Sequence, residues 1–318
     1  MTEIGYAISS EKHAPSDIVG HAVLAEAAGF PYALISDHFH PWVDAQGHSP
    51  FVWAVIGGIA QATTRLRLGT GVTCPTVRIH PAIIAQAAAT AGALMPGRFF
   101  LGLGSGENLN EHILGDRWPS VEERQDMLAE AIDVIRLLWQ GGYHSHDGPH
   151  YLVENARIYD VPDPLPEIMV AASGPEAADL AGEIGDGLIA TSADSETVQA
   201  FDDAGGAGKP KYGQLTVCYN RDEAAARKMA LKIWPNAGLK GGASTELPLP
   251  LHFEQLAELV TEEGIAKEVV CGPDPERHLA KIREYVDAGF SHVYIHQVGP
   301  DQEGFIKFYE REILPQFS

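Results

Sequence analysis

Eight short apolar runs, each followed by a stretch of helical periodicity, constrain this chain more than any other feature. In order they are EIGYAIS (3–9), YALIS (32–36), RLRLGTGV (65–72), RFFLGLG (98–104), EIMVAAS (167–173), GLIATS (187–192), QLTVCYN (214–220) and SHVYIHQV (291–298). The runs are continuously apolar rather than alternating, as expected of strands covered on both faces. Between them, Ile18, Ala22, Val23 and Ala27 recur near helical spacing from Pro15 until Gly29 stops the pattern. VWAVIGGIAQAT and PAIIAQAAATAGAL read as further helices, and Ser120 with Glu123 is spaced as a capping box opening a long amphipathic helix to Trp139. Eight such units in 318 residues predict a closed (β/α)8 TIM barrel, one domain over residues 1–318, rather than a doubly wound sheet. Two departures are expected. The glycine-, histidine- and aromatic-rich segment 141–160 reads as a hairpin-like insertion, and a long helical and loop stretch runs through the 230s and 260s.

Composition narrows the function. A formal net charge of −21 disfavours DNA, RNA or an anionic bilayer as partner. Cys74, Cys218 and Cys271 are scattered, odd in number and outside any C-x-x-C pair, so neither a disulfide framework nor a zinc site is expected. A reducing cytoplasm suits them. The start, MTEIGYAISSEKHAP, lacks the basic and apolar regions of a signal peptide, and no apolar run approaches the roughly 20 residues of a membrane span.

In a barrel of this kind, polar residues just past the strand C-termini face the active site. The richest such stretch is FFLGLGSGENLNE (99–111), with glycines at 102, 104 and 106, a spacing that does not fit the G-x-G-x-x-G turn of a nicotinamide site. The other strands supply Glu11, Asp37 and His38, Thr70 to Cys74, Ser173 and Gly174, Thr191 and Ser192, and His296 and Gln297. The histidines have no zinc or iron spacing, and the nucleophile elbow G-x-S-x-G is missing. What remains is an acid–base set, His38, Glu107 and Glu11, with amides and hydroxyls but no nucleophile. Such a set needs a cofactor for the hard step.

The segments SDHFHPW (36–42), TGVTCPTVRIHPAIIAQAAAT (70–90), GLGSGENLNE and AASGP together resemble the luciferase-like flavin and deazaflavin oxidoreductases. The likeness is greatest to the branch of F420-dependent glucose-6-phosphate and secondary alcohol dehydrogenases. It implies hydride transfer between a carbinol or carbonyl carbon and C5 of F420, no metal, and a homodimer paired through the region of VWAVIGGIAQAT. It further implies that Asp37, His38 and Trp42 line the deazaflavin and hold the substrate, with His38 the base, Asp37 fixing its tautomer and Trp42 placing the oxygen. By the same resemblance Glu107 and Asn110 lie beside the ring, and Glu11 shares the proton traffic. Gly71-Val72 matches a non-proline cis peptide behind the ring, with Thr73, Ser105 and Gly106 around it. Ser173, Gly174 and Thr191 match the phosphate cradle. Alternatives are an FMN-dependent monooxygenase on the same barrel and a non-catalytic F420-binding protein.

The chain departs from the sugar-phosphate enzymes of that branch where they hold phosphate with two lysines and an arginine. Asp194 stands at the first lysine position, a residue near Ser244 at the second with Lys240 close by, and Glu268 at the arginine position. Acids there repel a phosphate dianion, so the expected substrate is a small neutral alcohol, sugar or carbonyl.

Overall fold

A computed structural model describes residues 2–239 and 241–317, so Lys240 lies outside the described residues. The strands are β1 (Glu3–Ile8), β2 (Tyr32–Ile35), β3 (Arg67–Thr70), β4 (Phe99–Leu103), β5 (His144–Asp147), β6 (Leu152–Ala156), β7 (Ile168–Ala171), β8 (Gly187–Ala190), β9 (Lys211–Cys218), β10 (Val270–Cys271) and β11 (His292–Gln297). Parallel pairing runs β9–β11–β1–β2–β3–β4–β7–β8, and a β8–β9 ladder closes the ring. This is the expected (β/α)8 barrel.

The eight runs are the eight barrel strands, with one shift of boundary. The seventh begins at Lys211 rather than Gln214, because Lys211–Gly213 pairs with β8 before the apolar run starts. The insertion forms the antiparallel hairpin β5–β6. Glu130 anchors it by accepting hydrogen bonds from the backbone N–H groups of His150 and Tyr151 and facing His146 Nε2 at 2.9 Å. The two-residue strand β10, which pairs with the end of β9, was not expected. It is too short for periodicity to mark.

Two apolar layers hold the barrel. Inside it, Tyr32, Leu34, Phe100, Met169, Ile189 and Tyr212 pack together. Gly69 makes room for this layer: a Cβ there would lie 2.1 Å from the Phe100 ring. Outside, the strands' other faces pack on helices such as Pro15–Ala27, Pro81–Leu94 and Val121–Leu138. Each fully buried Leu or Ile there contributes about 1.5–3 kcal/mol. Ser120 caps the last of these helices, its hydroxyl accepting from Glu123 N, as its spacing predicts. Among the described residues no helix is long and apolar enough to cross a membrane.

Candidate active site at the barrel's C-terminal rim

Strand ends place the acid–base residues. β1 runs out into Ser9, Ser10 and Glu11, and β2 into Ser36, Asp37 and His38. The Glu11 carboxylate is buried. Its Oε2 accepts from the hydroxyls of Ser9 at 2.7 Å and Ser36 at 2.8 Å, while Oε1 lies 3.5 Å from His38 Nε2. Burial alone would raise the Glu11 pKa. The facing His38, the Ser9 hydroxyl, a backbone N–H and His296 together outweigh it and hold the pKa below the ordinary value.

The other edge of His38 meets Asn110. Asn110 Nδ2 is 3.1 Å from His38 Nδ1, and Asn110 Oδ1 accepts from the backbone N–H groups of Phe39 at 2.9 Å and His40 at 3.1 Å. The amide therefore stitches the loop after β2 to the short helix Asn108–Glu111 after β4. Trp42 stacks obliquely beside His38, ring centroids 5.2 Å apart, and its other side meets Phe253 edge-on at 5.2 Å. Phe253 belongs to helix Pro250–Ala257 in the long stretch after β9, which thus packs over Trp42, Val43 and Leu109.

Asp37 faces elsewhere than expected. Its Oδ2 accepts from the Thr73 hydroxyl at 2.8 Å and its Oδ1 from Arg78 at 3.1 Å. It does not fix the His38 tautomer, because the buried Arg78 guanidinium captures its carboxylate. Arg78 also bonds Glu111, from its backbone N at 2.7 Å and its Nε at 3.3 Å. Burial raises the Glu111 pKa despite that pairing. Sequence reasoning missed Arg78. The available signal was a lone cation in TGVTCPTVRIHP, a stretch with no other fixed charge.

β3 and β4 end side by side at the same rim. The Gly71–Val72 peptide is cis, as the resemblance implied. It is held between Thr70, whose hydroxyl both donates to Gly102 O and accepts from Gly102 N, and Thr73, whose N donates to Gly102 O. Gly106 follows at φ +85°, where a Cβ would also sit 2.5 Å from Cys74 Sγ. Only glycine suits both demands. Ser105 and Glu107 flank it half-buried, and Glu107 begins the helix Asn108–Glu111 without capping it with its carboxylate. His296, on β11, is buried against Trp234, with its pKa pushed down to about 4 by burial against the pull of Glu11. Its Nδ1 has no hydrogen-bond partner among the described residues.

The strand ends of β7 and β8 lead into two further helix starts. Gly174 opens helix Pro175–Ile184 with no side-chain cap, Ser173 before it is exposed, and a Cβ at Gly174 would meet nothing within 4 Å. The free N–H groups of such a helix start suit a phosphate. At the next strand end, exposed Thr191 precedes helix Ser195–Phe201, but there Asp194 accepts from Glu196 N, Thr197 N and the Thr197 hydroxyl. A cis peptide, an acid–base cluster and an uncapped helix start, all at strand C-termini, suit a cofactor with an anionic tail. Among the described residues no three His, Cys, Asp or Glu side chains gather as a metal site would require.

These features define a TIM-barrel protein with an acid–base site at its strand C-termini. The chain belongs to the luciferase-like monooxygenase family, whose profile matches residues 1–292. It is 39% identical to an F420-dependent glucose-6-phosphate dehydrogenase of Beutenbergia cavernae, over 99% of this chain and 97% of that protein. The enzyme of the same name from Mycobacterium avium is 37% identical over 99% and 97%. Among solved structures, an F420-dependent secondary alcohol dehydrogenase in complex with an F420-acetone adduct superposes with a TM-score of 0.92 at 30% identity, covering 98% of each chain.

Proposed function

We propose that this chain is an F420-dependent oxidoreductase acting on the carbinol or carbonyl carbon of a small neutral alcohol, sugar or carbonyl compound. The observation that carries the reading is the line Glu11–His38–Asn110 beside Trp42, with the cis Gly71–Val72 peptide at the end of the strand that neighbours β2. The F420-dependent relatives support the cofactor assignment. When bound, F420 takes or gives the hydride.

The chain's residues supply the rest. A carbinol carbon gives up hydride readily only as its hydroxyl loses a proton, so a base must be at hand. His38 and the buried Glu11 carboxylate 3.5 Å from its Nε2 share that role. Trp42, fixed by Phe253, positions the oxygen and shuts out water. Glu107, half-buried at the helix start, stands where a carboxyl can serve the ring. Gly71, Val72, Thr73, Ser105 and Gly106 form the ring's surroundings, and Ser173, Gly174 and Thr191 the anion end. Asp37 contributes by fixing Thr73 and Arg78 rather than by touching His38.

The substrate reading rests on charge. Asp194 already fills the start of its helix with a carboxylate, so a second anion there meets repulsion as well as a satisfied set of donors. Glu268 adds a further negative charge at the position where the sugar-phosphate branch carries arginine. The test is kcat/KM for glucose 6-phosphate, glucose and isopropanol under one set of conditions with F420. The neutral compounds are expected to lead. Turnover of glucose 6-phosphate at about 10⁴ M⁻¹s⁻¹ or above, the low end for a native substrate, would overturn the substrate class while leaving the cofactor assignment intact.

A further inference from the structure

The resemblance implies that Asn110 is a cofactor contact, yet its side chain is only 1% exposed and turned toward the loop after β2. We propose that Asn110 is a positioning residue that fixes neutral His38 in the form protonated at Nε2. Its catalytic meaning rests on the function proposed above; the geometry does not.

Two contacts lead to the same tautomer. The Asn110 amide cannot turn over, because its Oδ1 accepts from two backbone N–H groups, Phe39 and His40. Turning it would set its N–H donors against theirs. The group facing His38 Nδ1 at 3.1 Å is therefore the NH2, a donor, and Nδ1 must be the lone-pair nitrogen. At the other edge, Nε2 lies 3.5 Å from Glu11 Oε1. An N–H there is attracted by the carboxylate, whereas a lone pair would be repelled. The one competing acceptor at Nδ1 is the His40 carbonyl at 3.2 Å, which would suit an Nδ1–H. Choosing it in the neutral state would oppose the Asn110 N–H and place the Nε2 lone pair against Glu11, two losses for one gain.

The arrangement gives each protonation state its own partner. Neutral His38 accepts from Asn110 at Nδ1 and keeps its N–H toward Glu11, so within the pair the carboxylate is the group left to take up the substrate's proton; the Nδ1–H of an imidazolium would donate to the His40 carbonyl. Asn110 thereby fixes which edge of the neutral imidazole carries the proton, the edge that faces Glu11. A contact to the ring of a cofactor is not needed to explain why an amide stands at this position.

The experiment is long-range proton–nitrogen NMR on the free protein labelled with 15N-histidine, with the His38 signals assigned by their loss in His38→Gln. Above the range where imidazolium persists, His38 is expected to show an unprotonated Nδ1 and a protonated Nε2. Asn110→Asp keeps an acceptor for Phe39 and His40 N–H but turns an oxygen toward Nδ1, so Nδ1 should become protonated. The same variant should bind F420 within about threefold of the parent while kcat falls about tenfold or more, as expected when a base is held in the wrong form. A parent protein with Nδ1–H and bare Nε2 would overturn the proposal without any variant. So would unchanged His38 signals in Asn110→Asp, above all if F420 binding weakened instead, the result for a cofactor ligand. Because the NMR needs neither cofactor nor turnover, an enzyme inactive with F420 would sink the proposed function and leave the tautomer assignment standing.

Discussion

His38 is the residue on which the proposed chemistry turns, and its surroundings say what its loss should do. It is held on three sides, by Glu11, by Asn110 and by the Trp42 ring. Removing the imidazole leaves those neighbours bonded to other groups: Glu11 to Ser9 and Ser36, Asn110 to the Phe39 and His40 amides. The fold should therefore tolerate His38→Ala. Hydride transfer, followed in single-turnover experiments at the deazaflavin band, should slow by about 10²–10⁴-fold, the usual loss for a general base, with little change in F420 affinity. A variant within threefold of the parent would remove His38 from the mechanism. Glu11 and His38 were singled out in the sequence because they fall next to strand ends, where a barrel puts its chemistry, and Trp42 through the resemblance alone. The partner of each was not. Asp37 looked like the neighbour that would orient His38 because adjacency was the only relation visible, whereas Arg78, 41 positions along the chain, takes its carboxylate. Side-chain direction past a strand end depends on which distant charge wins, and periodicity carries no information about that.

Among the elements, the loop after β3 organises the rim, and Arg78 is how it does so. One guanidinium joins this loop to Asp37 after β2 and to Glu111 after β4, with all three side chains buried. The same short helix that carries Glu111 carries Asn110, so the clamp also sets the register of the His38 contact. Two carboxylates around one cation leave this cluster dependent on the arginine. Arg78→Met would strand both acids in a dry environment and should cost about 3–5 kcal/mol, the range for breaking a buried pair from one side. Arg78→Lys should recover only part of it, since an ammonium cannot reach two carboxylates with a rigid fork of donors. Thermal unfolding of the three proteins measures this; equal melting temperatures for parent and Arg78→Met would show the clamp to be idle. At this scale the sequence was most informative where burial is two-sided. The continuous apolar runs of β1 to β4, β7 to β9 and β11 mark themselves, while the β5–β6 hairpin, with both faces partly in water, offered only its glycines and histidines as a guide.

At the scale of the whole molecule, a chain carrying a net charge of −21 should repel its copies unless some face is free of charge and apolar enough to overcome it. Such a face lies on the outer helical layer. A groove between helices Val52–Ala62 and Pro81–Leu94 is lined by Phe51, Trp53, Ile56, Ile83, Gln86 and Leu94 among others, none of them charged. Phe51 is 60% exposed and Ile83 56%, high values for side chains of this size. Trp53 Nε1, buried there, has no hydrogen-bond partner among the described residues. Covering Phe51, Ile83 and Leu94 would contribute about 1.5–3 kcal/mol for each side chain fully removed from water, and a two-fold axis counts each contact twice. We therefore expect a homodimer paired through these helices. Light scattering at micromolar concentration should give twice the mass of the chain. Ile83→Asp, which places a charge at the centre of the groove without touching the barrel core, should give the monomer with its melting transition retained. A monomeric mass for the parent protein would contradict the pairing, and a dimer that survives Ile83→Asp would move it to another face.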